Sequence, residues 1–199
     1  MEIVAVTKYV EVAQVKEAID LGIKNIGENR TNELCKKYEE VNQPVNFHMI
    51  GHLQTNKVRD IYDKVKLVHS LDRISLAKEL DRRGRLNNLI INTLIQVNIA
   101  EEESKFGLSK EDVLPFIEKI IGFNNIKIQG LMTIAPYTKD EKQLRSVFRG
   151  LYKLREDINR RNYKEISTDY LSMGMTNDYQ IAVEEGANIV RIGSGIFKK

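Results

Sequence analysis

Two stretches near the C-terminus carry the residue types for an anion site: Leu171-Ser-Met-Gly-Met-Thr-Asn-Asp178 and Gly186-Ala-Asn-Ile-Val-Arg-Ile-Gly-Ser-Gly195. Each reads as a strand running with a turn rich in Gly, Ser or Thr. Such turns leave backbone N–H groups without partners, and where one opens a helix those donors favour a phosphate. Serine and glycine also suit loop tips for conformational reasons alone, so either turn by itself reads as structural. Two of them on consecutive strand ends point to one phosphate site, because the loops after the last two strands of a (β/α)8 barrel are a frequent place for one. At the other end of the chain, Lys8 follows the apolar segment Ile3-Val-Ala-Val6 by two residues. A lysine near a strand end is usually an exposed charge, but at the mouth of a desolvated cavity it can lose its proton and form an imine with a carbonyl compound. An amine opposite a phosphate cradle is what pyridoxal 5′-phosphate (PLP) requires. Arg191 could point into the same cavity, to neutralise the phosphate or donate to the pyridine nitrogen; its structural role would be an ion pair closing the barrel mouth.

These residues share a site only if the strands before them end on the same side of a sheet. Short apolar or β-branched runs alternate with stretches of helical spacing along the whole chain. They predict strands over Glu2–Val6, Asn25–Gly27, Asn46–Ile50, Leu67–His69, Ile90–Val97, Ile128–Met132, Tyr170–Ser172 and Ile189–Ile192. Strict alternation implies parallel strands with right-handed crossovers, and eight strands favour closure into a (β/α)8 TIM barrel. At 199 residues the chain is shorter than the usual barrel of about 250. The helix ring is therefore expected to be incomplete at both termini, with no room for a helix after the eighth strand. Residues 1–199 read as a single domain.

Other polar residues after strands have both plain and functional readings. Glu28-Asn-Arg30 reads as a helix start, with Asn29 as cap and Arg30 reaching Glu33, or as a polar wall beside the imine. His48, His52 and His69 are the only histidines, and their spacing with no supporting carboxylate argues against a metal site. Met173 and Met175 pack against the pocket or the core. The helix marked by Val113, Phe116, Ile117 and Ile120 is entered through Ser109 and Asp112, with Pro115 awkwardly inside it. Cys35 is the only cysteine, which rules out an internal disulfide. The N-terminus lacks a signal-peptide pattern and no apolar run reaches membrane-span length, so a cytoplasmic protein is expected. The net charge of +3 is small and mixed along the chain, which argues against a dedicated nucleic-acid binder.

Several segments together are similar to one known family: Ala5-Val-Thr-Lys8, Gly27-Glu-Asn-Arg30, Phe47-His-Met-Ile-Gly-His-Leu-Gln-Thr-Asn-Lys57, Val68-His-Ser-Leu-Asp72, Ser104-Lys-Phe-Gly107, Gly130-Leu-Met132, Leu171-Ser-Met-Gly-Met175 and Val190-Arg-Ile-Gly193 through Ile196-Phe197. In order and across essentially the whole chain, they resemble the YggS/PROSC-type PLP homeostasis proteins, whose barrel is like the N-terminal domain of alanine racemase. The resemblance implies that Lys8 is the Schiff-base lysine. It implies that Ser172 with the following backbone through Met175 and Thr176, together with Gly193 and Ser194, cradles the phosphate. Arg191 matches an arginine near the cofactor ring, and Asn29 and His48 match pocket-wall positions. The function so implied is PLP binding in intracellular vitamin B6 homeostasis, buffering cofactor or delivering it to PLP-dependent apo-enzymes without turnover. The alternative is a PLP-dependent amino-acid racemase, or a lyase using a Lys8 imine. Family members carry a helix before the first strand and a few more residues after the last, so a gap in the ring, exposed apolar surface and weak self-association of an otherwise monomeric protein are expected here.

Overall fold

The computed structural model describes residues 1–102 and 105–197, so Ser104 of the Ser104-Lys-Phe-Gly107 segment lies outside the described residues. Eight strands, β1 Glu2–Val6, β2 Asn25–Glu28, β3 Asn46–Met49, β4 Val65–Leu71, β5 Ile91–Gln96, β6 Ile126–Met132, β7 Ile166–Met175 and β8 Ile189–Ile192, pair in chain order into a closed parallel barrel. Closure is direct, with β8 returning to β1 from Glu2 opposite Ile189 to Ala5 opposite Ile192. The helices are α1 Val12–Asp20, α2 Thr31–Val41, α3 Val58–Ile61, α4 Ile74–Leu86, α5 Val113–Ile120, α6 Glu141–Arg160, α7 Tyr179–Glu184 and α8 Ser194–Phe197. A helix does follow the eighth strand, which corrects the expectation that there was no room for one. It is a single turn of four residues.

Two apolar clusters build the barrel. The larger lies between strands and helices and takes one stripe from each long helix: on α6, Leu144, Val147, Phe148, Leu151, Leu154 and Ile158 recur at three- and four-residue intervals and are all buried. Asp140 starts this helix by accepting from the amides of Lys142 and Gln143. The smaller cluster fills the barrel interior with Val4, Leu67, Leu94, Met132 and Ile189, one residue from each of five strands, beside Ile50. Parallel strands covered on both faces read as continuous apolar runs, and β4 and β7 extend beyond the expected segments for a related reason. Their outer residues, such as Lys66 and Asp169, are polar and break the apolar signal while the backbone pairing continues.

Pro115 is the third residue of α5, within the first turn, where amide hydrogens have no intrahelical acceptor to lose. Ser109 and Asp112 form a hydrogen-bonded turn ahead of that helix: the Ser109 hydroxyl donates to Asp112 and accepts from its amide. Asn29 does not cap α2; Arg30 occupies the cap position and makes no capping bond through its side chain. On the α1 side of the barrel, Leu21, Ile23, Ile196 and Phe197 border a groove of about 340 Å³, and Leu21 is exposed.

Candidate functional site

At the C-terminal end of the strands a cleft of about 270 Å³ lies over β1, β7 and β8. Val6 and Lys8 line it from the β1 end, Met175 to Asp178 from the β7 turn, and Arg191, Gly193 and Ser194 from the β8 end. The loop after β6, Ala135 to Thr138, forms the remaining wall. The backbone N–H groups of Gly193 and Gly195 both donate to Thr176 Oγ1, each at 3.3 Å, so the two small-residue turns meet at one oxygen. That convergence gathers two backbone amides and one hydroxyl at a single point where the β7 and β8 turns meet. The β7 turn is closed by Asp178, whose Oδ1 accepts from the Met175 amide at 2.5 Å. Burial raises the Asp178 carboxyl above its ordinary value, against the Met175 amide and Arg191, which favour the charged form. From outside, Arg149 and Arg145 on α6 bond Glu185 just after α7, tying that short helix to a long one.

Arg191 is 3% exposed and forms the floor of the cleft. Its Nη1 donates to Ser172 Oγ at 2.7 Å and its Nη2 to the Thr133 carbonyl at 2.8 Å. Burial lowers its pKa to about 10, opposed by Asp178, so the guanidinium stays charged at neutral pH. Below it, His69 Nδ1 lies 2.9 Å from Ser172 Oγ, His69 Nε2 lies 2.9 Å from His48 Nδ1, and His48 Nε2 lies 3.2 Å from Asn25 Oδ1. These groups sit inside the barrel because the pleat turns alternate residues of each strand inward.

A second buried network sets the position of Lys8. Lys37 on α2, 2% exposed, donates from Nζ to the Thr7 carbonyl at 2.7 Å and to Glu28 Oε1 at 2.5 Å. The Thr7 hydroxyl donates to the same Glu28 oxygen at 2.5 Å. Burying an ammonium and a carboxylate is tolerable only because each finds its partner here. The result pins the residue immediately before Lys8, while Lys8 itself remains exposed.

Of the residues expected at the site, the structure brings Lys8, Met175, Thr176, Arg191, Gly193 and Ser194 into one cleft. It does not bring the other three there. Ser172 is fully buried below the cleft with its hydroxyl engaged by Arg191 and His69, because it lies within β7, three residues before the strand ends. His48 lies inside the barrel for the same reason, one residue before the end of β3. Asn29 is exposed in a neighbouring recess with Arg30, His52 and Lys57. Glu28 is not a wall beside Lys8 either: it is buried beneath the turn, bonded to Thr7 and Lys37. Met173 belongs to the core and Met175 to the cleft. Sequence reasoning missed Lys37, Asp178 and the wall around Tyr137. Lys37 had no visible signal, whereas Asp178 closes the Leu171–Asp178 stretch and Tyr137 follows Pro136 in the segment after β6.

Similarity to known proteins agrees with this architecture. The model of the alanine racemase N-terminal domain family matches residues 1–199. A pyridoxal phosphate homeostasis protein of Aquifex aeolicus is 41% identical over 197 residues, covering 98% of this chain and 86% of the relative. Its namesake in Pseudomonas aeruginosa is 36% identical over 196 residues, covering 98% and 83%. The chain belongs to this family. Among solved structures, PipY of Synechococcus elongatus without PLP superposes with a TM-score of 0.93 at 28% identity, covering 99% of this chain and 92% of that one. PipY has also been solved with PLP bound, with a TM-score of 0.91 at 27% identity and the same coverage. An alanine racemase of Clostridium difficile, at 11% identity and a TM-score of 0.81, shares the fold; this chain covers 52% of it.

Proposed function

We propose that this protein binds PLP in the cleft between Lys8 and Arg191 and serves vitamin B6 homeostasis in the cytoplasm, holding the cofactor and releasing it to PLP-dependent apo-enzymes. The observation that carries this reading is the convergence of an amine, an anion-receptive pair of turns and a buried arginine on one cleft. The residues fit the group. Thr176, Ser194 and the amides of Gly193 and Gly195 would hold the phosphate, and Lys8 Nζ would hold the aldehyde carbon as a covalent imine. Arg191 remains protonated and can only donate, so toward a pyridine nitrogen it would keep that nitrogen unprotonated. When bound, PLP supplies an electrophilic carbonyl and a conjugated ring that can act as an electron sink. A nitrogen kept unprotonated weakens that sink.

The cleft also favours storage over turnover. Lys8 is exposed, Tyr137 is 95% exposed and Met175 38%. Water therefore reaches the atoms that a racemase or lyase would shield while a carbanion forms. Such openness suits exchange with a recipient enzyme.

The decisive experiment adds PLP to purified protein, records the absorption spectrum, reduces with borohydride and maps the labelled peptide. The expected outcome is a band at the edge of the visible range that becomes fixed on the Lys8 peptide, and no adduct in Lys8→Ala. An adduct persisting on the same peptide in Lys8→Ala, or no band in the wild type, would remove the assignment. Incubating the loaded protein with L-alanine and following optical rotation separates carrier from racemase, and steady turnover would overturn the carrier reading.

A further inference from the structure

Five buried side chains form an unbroken hydrogen-bonded line across the barrel interior: Asn25, His48, His69, Ser172 and Arg191, on β2, β3, β4, β7 and β8. The direction of every bond follows from the Arg191 end. A guanidinium only donates, so Ser172 Oγ accepts from Arg191 Nη1. Ser172 has a single hydrogen, and among the described residues its other side-chain partner is His69 Nδ1 at 2.9 Å. The hydroxyl therefore donates to His69, and Nδ1 is the unprotonated nitrogen of that ring. His69 then carries its hydrogen on Nε2 and donates to His48 Nδ1, and His48 donates from Nε2 to Asn25 Oδ1. The Asn25 oxygen also accepts from Asn46 Nδ2, so the far end is an acceptor, as the line requires. Each link pairs one donor with one acceptor, and both histidines are assigned the same neutral tautomer from opposite ends of the chain.

A proton added to either ring would set two donors against each other and place a second cation close to Arg191. The surroundings oppose this. Burial, with Lys66 adding to it, pushes His48 down to about 3, and burial, His48 and Arg191 push His69 well below its ordinary value. Asp178 is the acid that faces Arg191.

We propose that His48, His69 and Ser172 are positioning residues for Arg191: their neutral, one-directional line holds the guanidinium in a single orientation under the cleft. Arg191 is the one charged member of the line. With Ser172 Oγ and the Thr133 carbonyl fixing its terminal nitrogens, the guanidinium meets a bound group from a constant position. Ser172 thus acts on the ligand through Arg191 without touching it. The effect on the cofactor rests on the PLP reading above, whereas the tautomers do not.

Two measurements test the proposal. In 15N-labelled apoprotein, imidazole nitrogen shifts should show His48 and His69 neutral with the hydrogen on Nε2 from pH 8 to pH 5. Protonation of either ring above pH 5, or a dominant Nδ1–H form, would overturn the line, and this readout needs no variant. With PLP, Ser172→Ala should weaken binding about tenfold, equivalent to ~1.4 kcal/mol, displace the absorption band of the bound cofactor and release His69 from its tautomer. Ser172→Thr should restore all three. A Ser172→Ala protein with wild-type affinity, band and His69 shifts would refute the positioning role. If wild-type protein binds no PLP while the tautomers are as assigned, the PLP reading falls and the line stands.

Discussion

Lowering the pH from 7.5 to 5.5 should destabilise this protein by an amount that two buried imidazoles set. His48 is 1% exposed and His69 fully buried, each neutral in the folded state with its pKa pushed below the ordinary 6.5, His48 to about 3. In the unfolded chain both return to about 6.5. Between the folded and unfolded values the unfolded state binds more protons, so stability is fully present above pH 6.5 and is lost as the pH falls below it. At pH 5.5 an unfolded histidine is about nine-tenths protonated, and the linkage relation gives a loss of ~1.4 kcal/mol per ring relative to pH 7.5, or ~2.7 kcal/mol for the two. Carboxylates with ordinary values near 4 contribute little in this window, and Asp178, whose carboxyl burial raises, acts in the opposite sense by taking up its proton in the folded state first. Glu79, held at about 2 chiefly by its hydrogen bond to Arg82, acts only at lower pH. For a barrel with a total stability of roughly 5–15 kcal/mol, the loss is large enough to measure. Urea unfolding at pH 7.5, 6.5 and 5.5, analysed by linear extrapolation, is the assay. A loss under ~1 kcal/mol across the window would show that the two rings are not held neutral, and the geometry argued from them would be wrong.

Removing one partner of the buried Lys37–Glu28 pair leaves a charge uncompensated, so Lys37→Met should cost ~3–5 kcal/mol; adding Glu28→Gln should recover part of it, and a single variant costing under ~1 kcal/mol in urea unfolding would exclude the pair as an anchor. Arg191→Leu should lose most PLP binding in a fluorescence titration, and unchanged affinity would assign Arg191 to the barrel alone. Gly130 has φ +153° and an added Cβ would lie 2.0 Å from the Tyr170 carbonyl oxygen, so Gly130→Ala should cost about 3 kcal/mol or more; wild-type thermal stability would contradict that close approach. The apolar groove beside Leu21 and Phe197 should produce weak, concentration-dependent self-association, and a single monomer species at all loading concentrations in sedimentation velocity would count against it.

The sequence by itself carried the barrel, because its signal is local and repeated: eight apolar runs, separated by helical stripes such as Leu144 to Ile158, leave few ways to bury both faces of the strands. It also carried the placing of Lys8, Thr176 and Gly193 at one end of the barrel, since residues just after parallel strands converge there whatever the details. Register and pleat were not legible. Whether Ser172 meets a ligand or hides beneath one depends on whether β7 stops at Ser172 or continues to Met175, a difference of three residues. His48 was placed at a pocket wall by the family resemblance, although the expected strand already contained it, and only its inward pleat shows that it faces His69. Lys37 gave no signal at all, because a lysine on a charged helix looks solvated until the fold brings Thr7 and Glu28 against it across 30 and 9 residues of sequence. Local pattern decides which elements form, but long-range packing decides which side chains lose their water and what they bond instead.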